Sequence, residues 1–326
     1  MLIAVLLLIE TLFWGYCYSF DREPAVSGNS GEGETAAVRV GLSMAEGDNT
    51  WVQNMCNDIK DALAELGMEL LYKEPAENTE EAQYQCAEEL MDEGIDYLLL
   101  IPCSEDAVSP IAVEAAIREI PVILISGEEG ANSLCTVTIS VDYEREGELC
   151  AQILAEAYAG RECIIVEILG PQDSSIARAR AKGFEEEVSK TDNMQILKRI
   201  QGNFDLMTGQ AAMSEIIRNN PKGTVNAVFA CSDEDGLGAL YALKLAGYQP
   251  GTDVSLVSVG GVQDAVKAVI TGEYLATVSS GRYLGNVTAE IILRMENGEK
   301  VSPHFVMPYQ CLDAGSSWHE LVKALY

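Results

Sequence analysis

The chain has 326 residues, 48% of them hydrophobic, which is enough for sizeable cores and argues against disorder. It carries 51 Asp+Glu against 21 Lys+Arg, a formal net charge of −30, and such a surface repels phosphate backbones and anionic headgroups, excluding nucleic acid and lipid as main partners. Two His leave little room for His-based metal sites or triads, so a soluble α/β protein with a small ligand or a basic partner is expected, with no metal and no cofactor.

Met1 to Phe20 is apolar apart from Glu10, Thr11 and Ser19. About 20 such residues span a bilayer, so residues 1–20 read as a signal peptide or an N-terminal membrane anchor, with a buried core helix as the alternative. Neither Lys nor Arg precedes the run, and Tyr16 stands where a lipid-modified Cys17 would need a small residue. Ala25-Val26-Ser27 is a small-x-small pattern that lies well past the run, and export with retained anchoring is the favoured reading. Residues 21–37, including the Gly/Ser/Glu stretch Ser27–Ala37, have nothing to bury and form a flexible tether.

From Val38 onward, apolar runs alternate with amphipathic stretches. The runs are VRVGLSM (38–44), MELLYKE (68–74), DYLLLIPC (96–103), PVILIS (121–126), TVTISVD (136–142) and ECIIVEILG (162–170). MQILKRIQG (194–202), AVFACS (227–232), VSLVSVGG (254–261), YLATVSS (274–280) and HFVMPYQCL (304–312) complete the series. Between them, Asn78–Glu93 places Ala82, Cys86, Leu90 and Met91 on one helical stripe with carboxylates opposite. Apolar runs separated by helices mean parallel sheets covered on both faces. Ten runs before the last are too many for one compact sheet, so two doubly wound lobes are expected. The nine Cys are scattered without a CxxC and read as buried thiols, not as a disulfide framework or zinc site.

Ligands of doubly wound folds bind beyond the carboxyl ends of the strands. The segments that matter are therefore Ser43–Trp51, Pro102–Asp106, Ser126–Glu129, Gly170–Arg180, Ser232–Asp235, Gly260–Gln263 and Ser279–Arg282. If the lobes face each other, these exits line one cleft.

At those exits the sequence resembles the type I periplasmic sugar-binding proteins of ABC transporters, nearest the galactofuranose-binding branch with the ribose-binding proteins as cousins. The resemblance rests on VGLSMAEGDNTW (40–51), EEAQYQCAEELMDEGIDYLLLIP (80–102) and IPVILIS (120–126) in the first half. In the second half it rests on SSIARARAKGFEE (174–186), the GNFD…GQAAMSEII frame (202–217), residues 227–269 and GEYLATVS (272–279). It covers roughly residues 38–310. The related sugar-responsive repressors share the fold but carry a helix-turn-helix where this chain has an apolar segment.

The resemblance implies two lobes joined by a three-crossover hinge that closes on a monosaccharide. Residues 38–141 plus 281–302 would form the N-terminal lobe, and 142–280 plus 303–326 the C-terminal lobe, with Asp142 at the hinge. The ligand-facing set would be Ser43, Trp51, Ser126, Arg178, Arg180, Phe204, Ser232, Asp233, Gly260 and Ser280. Each has a plainer reading: Trp51 and Phe204 as lobe packing, the arginines as solvated charges, Asp233 as a helix cap. This chain also departs from the pattern. Ser126-Gly127 replaces an Asp-Arg pair, Ser232 an Asn, Gly260 an Asp, Val52 an Arg and Met44 a Gln. Losing a partner of a buried hydroxyl costs about 1–3 kcal/mol, so the parental sugar would bind weakly unless other groups substitute. Glu46, Asp48, Asn49, Glu105, Asp106, Glu128, Glu129 and Gln263 lie on the same loops.

Two roles fit this reading. One is transport, an extracytoplasmic monomer delivering a sugar-like ligand to the membrane permease of an ABC transporter. The other is sensing, a tethered protein whose closure is read by a sensor histidine kinase. An enzyme is not expected: GxSxG, HExxH and P-loop patterns are absent, and His304 and His319 fall away from the expected cleft. Residues 1–144 hold 28 acids and 5 bases, against 23 and 16 in residues 145–326, so the first lobe could dock a basic face of its partner.

Overall fold

The computed structural model describes residues 37–44, 50–75, 77, 79–126, 132–172, 174–279 and 284–324, with backbone alone at 50–55, 126 and 323. The apolar segment 1–20 and the tether as far as Ala36 lie outside the described residues. Among the described residues, no helix is long and apolar enough to cross a membrane.

In chain order the first elements are β1 (Arg39–Met44), α1 (Thr50–Glu65), β2 (Glu69–Lys73), α2 (Glu80–Asp92), β3 (Tyr97–Ile101), α3 (Glu105–Ile117), β4 (Val122–Ser126) and β5 (Val137–Ser140). The chain then crosses to α4 (Tyr143–Ala157), β6 (Cys163–Leu169), α5 (Ser175–Ser189), β7 (Met194–Gln201), α6 (Leu206–Asn219), β8 (Ala227–Ala230), α7 (Asp233–Leu245), β9 (Ser255–Val259), α8 (Gln263–Ile270) and β10 (Ala276–Ser279). It returns through α9 (Leu284–Glu296) and ends with β11 (His304–Val306), β12 (Gln310–Asp313) and α10 (Trp318–Lys323).

Two six-stranded sheets result, ordered β11-β5-β4-β3-β1-β2 and β12-β10-β9-β8-β6-β7. Every described pairing is parallel except β10 with β12. The central strands are apolar on both faces because helices cover both: β3 and β8 are buried along almost their whole length. Phe184 of α5 stacks on Phe229 of β8 with ring centroids 3.9 Å apart. Each such buried side chain contributes roughly 1.5–3 kcal/mol. The helices start where a short polar side chain satisfies an orphan N–H. Thr79, Ser104, Asp142, Ser174, Asp205, Ser232 and Ser317 all accept such a bond.

Three connections join the lobes. Val141 and Asp142 lead from β5 to α4, residues 280–283 from β10 to α9, and residues 307–309 from β11 to β12. Val306 pairs with Ser140, the last residue of β5, and Gln310 with Ser279, the last residue of β10. The third connection therefore ties the carboxyl edge of one sheet to the carboxyl edge of the other. Its four Cα steps reach at most about 14 Å, so the two edges face each other beside the hinge.

This topology corrects one expected boundary. HFVMPYQCL reads as a single run assigned to the second lobe, but His304–Val306 extends the first sheet and only Gln310–Asp313 joins the second. Met307 is buried in the first lobe's core, and Pro308, lacking an N–H, cannot continue the ladder. His304 accordingly stands at the hinge, its Nε2 2.8 Å from Ser140 Oγ.

Burial raises the pKa of Glu167, Glu234 and Asp235 of the second lobe, Glu167 furthest of the three. Glu167 of β6 has no exposed surface, its Oε2 lies 3.1 Å from Arg199 Nε, and its Oε1 has no hydrogen-bond partner among the described residues. Arg199 also holds Glu185 at 2.6 Å. Burial, and then the adjacent Glu185, push Glu167 up to about 8 against the opposing pull of Arg199. Between the ordinary carboxyl range and pH 8 the folded chain thus binds a proton the unfolded chain has released, and stability falls as pH rises, by up to about 1.4 kcal/mol per pH unit. Urea unfolding at pH 5 and pH 8 should show that fall in the wild type and a flatter profile in Glu167→Gln. An unchanged profile would mean the carboxyl is already ionised in the folded state.

Candidate ligand-binding cleft

On the first lobe's edge, Ser43 lies one residue before the end of β1 and is fully buried, with an Oγ that has no hydrogen-bond partner among the described residues. The exit of β3 is set by Gln83 of α2, also fully buried, whose Nε2 donates to the Ile101 carbonyl and whose Oε1 accepts from the Cys103 N–H, both at 2.8 Å. Glu105 and Asp106 open α3 and are exposed. Trp51 is the second residue of α1 and Ser126 the last of β4, described by backbone alone. Residues 45–49 and 127–131 lie outside the described residues, and with them Glu46, Asp48, Asn49, Gly127, Glu128 and Glu129.

The second lobe's edge separates the two arginines. Residues two apart on a helix point about 200° from each other. Arg178 stays exposed at the opening of α5 and donates to the Gln172 carbonyl at 2.9 Å. Arg180 is buried: its Nε lies 2.7 Å from Glu146 Oε2, its Nη1 donates to the Cys231 carbonyl at 2.9 Å, and its guanidinium sits 5.5 Å from the centroid of the Tyr143 ring. The resemblance allows a sugar-binding Arg at either position; here the charge of Arg180 is consumed inside the lobe and Arg178 is the one left at the exposed edge.

Asp233 is corrected in the same way. The helix cap is Ser232, whose Oγ accepts from the Asp235 N–H, and Asp233 is the first residue of α7 with no exposed surface. Its Oδ1 accepts from the Ser258 and Thr277 hydroxyls, the latter at 2.7 Å, and its Oδ2 accepts from the Val262 N–H at 2.7 Å. Burial raises its pKa while those three bonds pull it back. Gly260 adopts φ 149°, and a Cβ there would lie 2.9 Å from Asp233 Oδ2, so this turn admits glycine where a side chain would strain. Ser232 is buried beside it, and Ser280 lies outside the described residues.

Phe204 follows β7 and is half-buried against the exit of β6 and the first turn of α5. Between Asp233 and Asp235, the half-buried Glu234 is pushed up to about 7, by burial first and then by its two acidic neighbours. Asp142 caps α4 at the hinge by accepting from the Arg145 N–H at 2.8 Å.

The structure thus brings Arg178, Phe204, Ser232 and Gly260 to one edge and Ser43, Trp51 and Ser126 to the edge that faces it. Sequence reasoning missed Gln83, Asp235, Ser258 and Thr277. For Ser258 and Thr277 the signal was present, since a hydroxyl in the middle of SLVSV or LATVS breaks an apolar run and marks a buried polar partner.

Two doubly wound lobes, a hinge of three connections and facing carboxyl edges define a two-lobe binding protein. Residues 40–300 match the periplasmic binding protein domain family, and the chain belongs to that family. It is 30% identical over 247 residues to the galactofuranose-binding protein YtfQ of Escherichia coli K12, covering 74% of this chain and 77% of that protein. It is 26% identical over 287 residues to the ribose import binding protein RbsB of Bacillus subtilis 168, covering 88% and 89%. A solved structure of the arabinose ABC transporter's periplasmic binding protein component from Shewanella sp. ANA-3, bound to α- and β-L-arabinofuranose, matches with a TM-score of 0.75. The identity there is 27%, over 88% of this chain and 95% of that one.

Replacing Asp233 with Ala strands three buried donors, each worth about 1–3 kcal/mol when unpaired. Denaturant unfolding should show a loss of about 3 kcal/mol or more; a loss under about 1 kcal/mol would mean the staple contributes little to stability.

Proposed function

We propose that the chain is an extracytoplasmic binding protein that closes its lobes on a neutral monosaccharide-like ligand and delivers it to an ABC-type permease. The observation that carries this reading is the pair of facing strand-exit edges, joined by three short connections in a family whose relatives are named for galactofuranose and ribose. Phe204 offers a ring face for sugar C–H groups, and the exposed Arg178 offers a guanidinium for hydroxyls. Trp51, opening α1 on the opposite rim, is the proposed second ring.

The chemistry at these edges differs from a grip built on paired charges. Asp233 and Arg180 are spent within the lobe, and Ser126-Gly127 stands where the family pattern has Asp-Arg. Hydroxyls, backbone turns and aromatic faces then carry recognition. The role is binding without catalysis, and the N-terminal segment would hold the protein at the outer face of the membrane. Protein recovered in the medium or by osmotic shock would overturn that anchoring.

Thermal-shift screening with D-ribose, L-arabinose, D-galactose, D-fructose and myo-inositol tests the ligand class. At a hundredfold excess over Kd a ligand adds about 2.7 kcal/mol, and at least one sugar should raise Tm by about 5 °C or more. A blank across the panel would overturn the sugar-binding reading. For the sugar that binds, Trp51→Ala should weaken affinity at least about tenfold, or about 1.4 kcal/mol, and unchanged affinity would remove Trp51 from the cleft. Copurification of the tethered protein with a sensor kinase in place of a permease would replace transport with sensing.

A further inference from the structure

Phe204 is held in an unfavourable backbone conformation. Its φ is 56°, one of two positive values among the described non-glycine residues, in a region that costs a residue with a Cβ. The bonds that fix it come from a residue distant in sequence. The Phe204 N–H donates to Asp235 Oδ2 at 2.9 Å, and the Asn203 N–H donates to Asp235 Oδ1 at 3.2 Å. Thr208 Oγ1 lies 3.3 Å from Oδ1, and Ser232 Oγ lies 3.2 Å from Oδ2, so both carboxylate oxygens are occupied. Asp235 itself has no exposed surface and cannot touch a ligand.

The surrounding glycines show how closely this turn is pressed into place. A Cβ on Gly202 would lie 2.5 Å from Asp235 Oδ1, and one on Gly209 would lie 2.2 Å from the Asp235 carbonyl oxygen. On the other side of the aromatic ring, a Cβ on Gly170 would lie 2.2 Å from Phe204 Cε1. The carboxylate fixes the backbone of residues 203–204, and glycine at the β6 exit leaves the ring its place.

We infer that Asp235 is a positioning residue of the cleft, acting through Phe204: its buried carboxylate holds the β7–α6 turn in the left-handed conformation that sets the ring on the ligand-facing edge. The binding consequence rests on the sugar-binding reading above; the conformational claim does not.

Two measurements on the full chain test it. Asp235→Asn keeps the volume but sets an amide N–H₂ against a backbone N–H. Hydrogen exchange of the segment 201–208 should then quicken at least about tenfold at the Asn203 and Phe204 amides, with β8 unchanged as an internal control. Unchanged exchange at those two amides would overturn the inference. If that variant fails to fold, Asp235→Glu, which keeps the charge but displaces it by one methylene, is read for the same local change. The second measurement is a cycle with Phe204→Leu, using whichever panel sugar stabilises the wild type. Asp235→Asn should weaken its binding about tenfold with Phe204 present and less than about twofold in the Phe204→Leu background. Equal weakening in both backgrounds would assign Asp235 a general structural role and overturn the inference. Should no panel sugar bind the wild type, the sugar-binding reading fails while the exchange measurement still decides whether Asp235 holds the turn.

Discussion

A carboxylate with no exposed surface is costly unless donors fill its lone pairs, and Asp233 meets that demand with the Ser258 and Thr277 hydroxyls and the Val262 N–H. It also lies at the positive end of α7, where a negative charge is favoured. The donors come from β9, the turn that follows it and β10, so one side chain at the exit of β8 ties that exit to those of β9 and β10. The geometry of the second lobe's edge depends on that staple. Gly260 and Gly261 take their conformations around it, with the Gly261 N–H donating to Thr277 Oγ1 at 3.0 Å. Two residues on, Asp235 does the same for the opposite flank, reaching the turn after β7. Adjacent carboxylates on one helical turn thus point to opposite sides and brace the whole edge.

The hinge is braced by weaker contacts than the lobes. Tyr143, the first residue of α4, packs against the first lobe's core while its ring lies beneath the Arg180 guanidinium of the second. Arg145 sits 5.6 Å from the centroid of the Tyr309 ring, linking the first connection to the third. Cation–π contacts of this kind are worth roughly 0.5–2 kcal/mol, small beside the cores they join. The lobes are thus held more firmly within themselves than to each other at the hinge.

Charge is distributed with a similar economy. Two bases of the first lobe each serve several carboxylates. Lys73 pairs with Glu89 and Glu93, and Arg118 reaches Glu88, Asp92 and Glu114. Exposed pairs of this sort contribute about 0–1 kcal/mol each, so the acidity of this lobe serves solubility and long-range repulsion of anions more than stability. The ion pair with structural weight is the buried Arg180–Glu146 bond, which fastens α5 to the start of α4.

Local pattern alone determined the strand runs, the helical stripe within Asn78–Glu93 and the two-lobed class, because periodicity depends on neighbours a few residues apart. It also located the strand exits that line the two facing carboxyl edges, where ligands of such folds lie. Tertiary structure decided which polar residues remain free at those exits. Arg178 and Arg180 are equivalent in the text of IARARAKGF, but half a helical turn sends one to solvent and the other to Glu146 and Cys231. Asp233 reads as a grip for a hydroxyl until Ser258 and Thr277, 25 and 44 residues away, close on it. HFVMPYQCL reads as one strand until each half finds a different sheet. In every case the deciding partner is remote in sequence, and only the folded chain brings it within hydrogen-bonding distance.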